Sequence, residues 1–306
     1  VSKVSVIAIS YNHAPFIKEA LESVFAQTYE DIELIILDDG STDDSRELIK
    51  DTLGEREASL LLSEENLGYT KTFNKGLGLV TGDYIIDFAL DDIMKPSFVE
   101  ESVKALEARG EEFGVSFANA EYIDRESKVT AIHTEWLKKQ GIIDWIPEGD
   151  IFQMVLKRYF ICTPTMMIKR SVFDRIGGYD QELAYEDFDF WVRTSRYWQY
   201  CYIDKVLVQK RKLETSMSAQ RYRHKTNGQM RSVYKVCEKA ASLCDSRADY
   251  KALRVRLNYE FRQCLRHRAW DLAHEYQSLL KSNRLSFDLA TQWVGWFGWR
   301  LRLRLK

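Results

Sequence analysis

Two pairs of adjacent carboxylates stand where strand-like runs give out. "IELIILD" (32–38) runs into Asp38 and Asp39, and "YIIDFAL" (84–90) ends in Asp91 and Asp92. Neighbouring acids repel one another, and a strand end gives them no evident structural task. Such carboxylates hold a proton or a hard cation; Mg2+ and Mn2+ accept one or two of them and complete their shell with phosphate oxygens. Asp91–Asp92 therefore reads as half of a metal site, with Asp92 as the ligand and a substrate's phosphates supplying the rest. In "LDDGSTDD" (37–44), Ser41, Thr42 or Asp43 can cap a following helix, which leaves Asp38 and Asp39 still to be explained. A phospho-accepting receiver domain also collects acids at strand ends, but places its pair after the first strand, where this chain has "SYN" (10–12).

A glycine-rich loop is the other common way to hold phosphate. No GxGxxG follows the first strand and no GxxxxGK[ST] occurs anywhere, so neither a dinucleotide fold nor a P-loop is supported.

The elements that must position the acids alternate over the first hundred residues. "VSVIAIS" (4–10) and "IELIILD" are strand-like, dense in β-branched residues and bounded by turn formers. Between them Phe16, Ile17, Ala20, Leu21, Val24 and Phe25 recur at helical spacing behind Pro15. A helix after Asp43, a short strand "SLLLS", a helix over 70–79 and the strand 83–90 follow. That order predicts a mostly parallel α/β sheet with right-handed crossovers, whose ligands bind beyond the carboxyl ends of the strands. Further on, "FGVSFANAEYI" and "SKVTAIHTEW" read as paired strands, "TPTMMIKR" as a strand, "SVFDRI" as a short helix, "GGYD" (177–180) as a tight turn and "EDFDFWVRTSRYW" (186–198) as a helix. Beyond Ser218 the pattern is almost wholly helical, with no proline after Pro164. The boundary is placed near 215–220, giving domains 1–217 and 218–306.

Of 306 residues, 45% are hydrophobic and 29% charged, the make-up of a core-forming chain and not a disordered one. The net charge of −2 conceals an asymmetry: residues 205–306 carry 23 Lys/Arg against 8 Asp/Glu. A basic block of this kind suits nucleic acid, anionic lipid or a phosphorylated ligand, or is a solvated helical face. No motif supports nucleic acid. Cys162, Cys201, Cys237, Cys244 and Cys264 form no CxxC pair, which predicts reduced, buried thiols in a cytosolic protein. Val4–Ile9 is too short for a secretory signal, and Leu289–Trp299 falls short of the roughly 20 residues that span a bilayer. The expectation is a cytoplasmic protein that does not cross the membrane.

Four segments carry a resemblance. "VIAISYNHAPFIKEALESVFAQTYEDIELIILDDGSTDDS", "ENLGYTKTFNKGL", "GDYIIDFALDD" and "YEDFDFWVR" stand in an order and spacing that resembles the family 2 glycosyltransferases, over about residues 1–215. The resemblance implies a GT-A fold: a mixed, mostly parallel sheet flanked by helices, here with a C-terminal helical extension. It implies inverting sugar transfer from a nucleotide sugar with Mn2+ or Mg2+. Ser10, Tyr11 and Asn12 would line the base pocket, with Tyr11 against the base. Asp39, supported by Asp38, would accept the base N–H, a feature that favours UDP or dTDP. Asn66, Gly68 and Lys71 would close over the nucleotide, Lys71 reaching a phosphate. Asp91 would touch the ribose or sugar and Asp92 would ligate the metal. Asp187 matches the catalytic base, Glu186 the acceptor side, and Gly177 and Gly178 the glycine turn bordering the donor sugar.

The chain departs from the family in two places. Ala89 stands where many relatives have a further acid, and Leu213 where many have a histidine near the diphosphate. Arg211, Lys212 or a backbone group would take that histidine's place, Arg211 as a diphosphate contact. His13 and His133 have no partner spacing and read as structural. The tail "FDLATQWVGWFGWRLRLRLK" combines Trp293, Trp296, Phe297 and Trp299 with basic residues, which suits the headgroup zone of an anionic membrane. A lipid-linked acceptor at the inner face of the cytoplasmic membrane would account for it, as would packing on the acidic domain or on a second subunit of a homo-oligomer. The expected acceptor is a glycan or lipid-linked hydroxyl in bacterial surface-polysaccharide synthesis. A sugar nucleotidyltransferase and a catalytically silent nucleotide- or glycan-binding subunit remain alternatives.

Overall fold

A computed structural model describes residues 2–213, 228–288 and 291. In chain order the elements are β1 (Val4–Ser10), α1 (Ile17–Phe25), β2 (Ile32–Asp38), α2 (Ser45–Leu53), β3 (Ser59–Leu62), α3 (Tyr69–Leu77), β4 (Tyr84–Ala89), β5 (Ile93–Met94), α4 (Phe98–Glu107), β6 (Phe113–Ile123), β7 (Val129–Ile132) and α5 (His133–Lys139). Then come α6 (Phe152–Lys157), β8 (Met167–Lys169), α7 (Arg170–Ile176), α8 (Glu186–Ser195), β9 (Gln199–Arg211), α9 (Gly228–Leu243), α10 (Arg247–Arg266) and α11 (Trp270–Ser282).

The chain forms two compact units. The first is Val1–Asp150, Phe160–Gln181 and Tyr197–Leu213; the second is Ile151–Tyr159, Glu182–Arg196 and Glu214–Lys306. The second unit thus takes in α6 and α8 as well as the C-terminal helices.

One sheet organises the first unit, in the order β3-β2-β1-β4-β8-β6-β9-β5, with β7 paired to β6. β3, β2, β1 and β4 are mutually parallel. All seven residues of β1 are buried, which is why the strand is apolar on both faces apart from Ser5 and Ser10; a sheet covered on both faces leaves no wet side for alternation. β8 runs antiparallel to β4 and β6, and β5 antiparallel to β9. The register sets Ser10 beside Asp38 and Ile9 beside Ala89, so the carboxyl ends of β1, β2 and β4 share one edge of the sheet, where the acids lie.

Three sequence expectations change. "HTEW" is the start of α5, not strand: Asn119 donates to Thr134 Oγ1 at 2.9 Å and accepts the Thr134 N–H at 3.2 Å, turning the chain after β7. In "TPTMMIKR" a 3-10 turn occupies Thr163–Thr165, with Pro164 near its start, and only Met167–Lys169 is strand. α8 ends at Ser195, and β9 follows with a pairing to β6 interrupted by bulges around Asn119, which blurs its alternation. The paired strand at "FGVSFANAEYI", the helix at "SVFDRI" and the turn at 177–178 stand as read. All five cysteines are buried, and none is in a disulfide.

The second unit buries Leu253, Leu257 and Phe261 along α10. Arg256, also buried, donates from Nε to the Leu156 carbonyl at 2.8 Å, pairs with Glu260 and lies over the rings of Tyr159 and Phe188. α10 opens with a capping box between Ser246 and Asp249, the reciprocal arrangement that satisfies two end-of-helix donors. No described helix is long and apolar enough to cross a membrane. Of the tail segment 286–306, only residues 286–288 and 291 are described.

Candidate active site

Asp91 and Asp92 form the turn that leaves β4, tightened by the Asp92 N–H donating to the Ala89 carbonyl at 3.1 Å. Asp92 is 4% exposed. Its Oδ1 accepts the Arg211 backbone N–H at 2.7 Å, and its Oδ2 takes no hydrogen bond among the described residues. Burial, with the adjacent Asp91 charge, pushes the Asp92 carboxyl well above the usual carboxylate range, against the pull of Lys210 and Arg211. Asp91 is less enclosed and lies 4.0 Å from His13 Nε2. Among the described residues no group of three or more His, Cys, Asp or Glu could hold a metal by itself. The donor set is therefore two hard oxygen ligands, one of them buried and deprived of solvent, which fits Mg2+ or Mn2+ shared with phosphate oxygens. A bound cation would also offset the penalty that burial places on ionised Asp92.

Arg211 holds this turn in place, and its geometry corrects the sequence expectation. Its side chain is 0% exposed. Nε donates to the Asp91 carbonyl, one terminal nitrogen to the carbonyls of Asp124 and Arg125 and to Ser127 Oγ, and the other to Glu19. The guanidinium also lies 4.4 Å from the Phe16 ring centroid. With every nitrogen engaged and no open face, Arg211 is not available to a diphosphate; it ties α1, the 124–127 turn and the acid pair together. Lys212 is likewise engaged, its ammonium 3.3 Å from the Tyr122 ring centroid and 4.7 Å from that of Trp136.

At the ends of β1 and β2 the residues divide into exposed and structural. Tyr11 is 43% exposed. Ser10 is fully buried, with a hydroxyl that finds no partner among the described residues. Asn12 adopts a left-handed φ of 57°, held by its N–H to Ser41 Oγ and by Thr42 N–H to its Oδ1. Asp38 is fully buried; it accepts the Ser41 N–H and hydroxyl and pairs with Arg46 Nε at 3.0 Å. Asp39 accepts Leu67 N–H and Thr72 Oγ1 on Oδ1, and Gly68 N–H on Oδ2. Asp39 thereby pins the segment carrying Asn66 and Gly68 over the end of β2. Asn66 and Lys71 are exposed.

A further set of residues escaped sequence reasoning. Asp87, inside β4, accepts Tyr69 Oη at 2.6 Å and Tyr179 Oη at 2.8 Å. Asn74 pairs both ways with the Tyr179 backbone. The glycine turn is thereby bound to α3: Gly177 and Gly178 have φ of 75° and 88°, and a Cβ on Gly178 would fall 2.6 Å from Asn74 Oδ1. The signal was an acid in the middle of an apolar strand, "YIIDFAL", which a buried position tolerates only with partners. Glu186 and Asp187 open α8 in the second unit, Glu186 buried and Asp187 half-buried.

The sheet order, with acids at the ends of its parallel strands, is that of a GT-A fold. Residues 5–177 match the family "Glycosyl transferase family 2", and the chain belongs to that family. It is 30% identical over 239 residues to an uncharacterized glycosyltransferase of Haemophilus influenzae, covering 73% of this chain and 69% of that one. It is 29% identical over 209 residues to another from Rickettsia prowazekii, 68% of this chain and 63% of the relative. Among solved structures, the mannosyltransferase PcManGT from Pyrobaculum calidifontis, in complex with GDP-Man and Mn2+, superposes with a TM-score of 0.63 at 16% identity over 99% of this chain and 81% of that one. S. aureus TarS 1-349 in complex with UDP-GlcNAc gives 0.58 at 15%, over 92% and 91%.

Proposed function

We propose that this chain transfers a sugar, with inversion, from a UDP- or dTDP-sugar to a hydroxyl of a glycan or lipid-linked acceptor, in bacterial surface-polysaccharide synthesis. The observation that carries the reading is Asp92: a buried carboxylate beside a second acid, at the carboxyl end of a parallel strand, with one oxygen unengaged. Asp92 would hold Mn2+ or Mg2+, which when bound offsets charge on the departing diphosphate, and Asp91 would touch the ribose or sugar. Asp39 keeps a lone pair on Oδ2 beyond the Gly68 bond, enough to accept the N–H of uracil or thymine. Tyr11 offers an exposed ring to the base, and Lys71 an ammonium to a phosphate. The solved neighbours hold GDP-Man and UDP-GlcNAc, so the fold admits either base and the choice falls to residues such as Asp39. Asp187 serves as the base that takes the acceptor hydroxyl's proton, with Glu186 beside it on the acceptor side. The basic 205–306 segment suits peripheral contact with anionic lipid.

Calorimetric titration of UDP, dTDP, GDP and ADP, with and without Mn2+, tests this. UDP or dTDP is expected to bind in a metal-dependent manner that Asp92→Asn loses. Asp187→Asn is expected to keep donor binding and lose turnover by about 10²–10⁴-fold, the usual weight of general-base action. Absence of nucleoside diphosphate binding, or binding indifferent to both metal and Asp92, would sink the proposal.

A further inference from the structure

Asp87 shares one face of β4 with Ile85 and Ala89 and is 5% exposed. A carboxylate buried in such a place is tolerated only where donors meet it, and two phenols do. Tyr69 Oη donates to Oδ1 at 2.6 Å and Tyr179 Oη to Oδ2 at 2.8 Å. The phenols come from different segments. Tyr69 opens α3 directly after Gly68, whose N–H Asp39 holds at the end of β2. Tyr179 follows the Gly177–Gly178 turn. β8 runs antiparallel to β4 with Lys169 opposite Tyr84, so it ends at the amino edge of the sheet. α7 then carries the chain back toward the carboxyl edge before that turn.

Tyr179 is fixed at three points. Its backbone exchanges hydrogen bonds with the Asn74 side chain, its ring centroid lies 4.3 Å from that of Phe73, and its hydroxyl ends on Asp87. Asn74 and Phe73 belong to α3, as does Tyr69. One helix and one carboxylate thus set the distance between the 66–69 segment and the 177–179 turn. An apolar side chain of the same volume would fill the strand position, but only a group that accepts both hydroxyls ties the two segments into one arrangement. In the sheet order β2-β1-β4-β8, Asp39 stands at the end of β2 and Asp92 beyond β4. A donor with its base at Asp39 and its diphosphate at Asp92 carries its sugar onward, toward the side where β8 leads into α7 and the turn.

We propose that Asp87 is a positioning residue for the donor sugar: through Tyr69 and Tyr179 it fixes the 177–179 turn against the 66–69 segment, and so sets which sugar the site accepts. This rests on the nucleotide-sugar reading above. The bare nucleotide does not depend on the link, because Asp39 holds the 67–72 stretch by three bonds of its own, from Leu67 N–H, Gly68 N–H and Thr72 Oγ1.

The test is calorimetric titration at fixed Mn2+ into wild type, Tyr179→Phe, Asp87→Leu and Asp87→Asn, with thermal unfolding of each. The probes are UDP, dTDP and GDP beside UDP-glucose, UDP-galactose, UDP-N-acetylglucosamine, dTDP-glucose and GDP-mannose. Wild type is expected to rank the sugars by about tenfold or more in affinity, and Tyr179→Phe and Asp87→Leu to flatten that ranking to within about threefold. The bare diphosphate should bind each variant within about twofold of wild type. Asparagine accepts one phenol on Oδ1 and donates to the other from its amide, so Asp87→Asn should keep the ranking. Where Asp87→Leu lacks a cooperative melt, Tyr179→Phe decides, since it deletes one oxygen and keeps the ring on Phe73. A flat ranking in wild type, or one that Tyr179→Phe leaves intact, would overturn the proposal without touching the nucleotide-sugar reading. Loss of bare diphosphate affinity in step with the sugars would overturn it in favour of a purely structural role. If wild type binds no diphosphate, the nucleotide-sugar reading itself fails and takes the proposal with it.

Discussion

His133 carries its consequence in a single proton. It is buried, donates from Nε2 to the Phe160 carbonyl at 2.8 Å and accepts the Tyr122 hydroxyl on Nδ1 at 2.6 Å, so both ring nitrogens are satisfied in the neutral form. Burial, with the charges of Lys210 and Lys212, lowers its pKa from 6.5 to about 4. In the unfolded chain the imidazole protonates near 6.5 and in the folded one only near 4, so the unfolded state binds more protons between those values. His133 therefore stabilises the fold above pH 6.5, and that contribution is lost as pH falls toward 4, by about 1.4 kcal/mol per pH unit. Urea unfolding of wild type and His133→Gln from pH 7 to pH 4.5 checks this. The variant's stability should decline less steeply by about that slope, whatever its offset at pH 7; parallel declines would show that His133 is not held neutral. The sequence reading took both His133 and His13 as structural, but His13 stands within 4.0 Å of Asp91. Residue type showed which side chains could do chemistry. It did not show their partners, and a partner such as Glu19 for Arg211 lies 192 positions away.

At the scale of elements, the carboxyl end of β2 depends on two turns that touch backbone to backbone. Gly40 has φ of 76°, and a Cβ there would overlap the Glu65 carbonyl carbon and fall 2.5 Å from Asn66 N. Gly54, past the end of α2, has φ of 57° but open space around it. Gly40→Ala must push the 64–66 segment off the end of β2, adding overpacking of about 1–3 kcal/mol to left-handed strain of about 1–2 kcal/mol. Gly54→Ala bears backbone strain alone, its φ of 57° and ψ of −125° lying outside the left-handed helical well. Thermal unfolding and UDP titration should show Gly40→Ala destabilised and weakened for nucleotide, with Gly54→Ala destabilised but binding as wild type. Equal effects of the two would mean that the 38–41 and 64–68 turns do not depend on each other. The glycine's need for space was invisible in sequence, since "DDGST" reads as an ordinary turn. β1, β2 and β4 were legible because strands buried on both faces are written as short, mostly apolar runs rich in Val and Ile. β9 and α5 were not: bulges break the one's alternation, and a tertiary bond from Asn119 starts the other. The acid pairs were legible as chemistry, while the Asp87–Tyr69–Tyr179 set was not, because hydrogen-bond partners leave no periodic trace.

Over the whole molecule the charge is divided, and the division concerns where the protein works. Residues 205–306 hold 23 Lys/Arg against 8 Asp/Glu. Within the helical unit most of those acids are already spoken for: Asp245 and Asp249 by Arg196, Glu260 by Arg256, Glu275 by Arg231 and Asp288 by Arg262. Arg247, Lys251, Arg266, Arg268, Lys281 and Arg284 are exposed and enter none of these pairs. Such cations near an anionic bilayer contribute about 1 kcal/mol each and fade within a Debye length, about 10 Å at 0.1 M salt. The proposed peripheral membrane contact therefore has a signature distinct from apolar insertion. The intact chain should cosediment with vesicles rich in phosphatidylserine or phosphatidylglycerol at low salt, release as salt rises and ignore phosphatidylcholine. Charge reversal of Arg266 and Arg268 should weaken that binding while leaving UDP affinity unchanged. Failure to cosediment with anionic vesicles at low salt would remove the lipid surface from the proposal. Binding that survives high salt would assign the contact to buried aromatic residues and not to this charge.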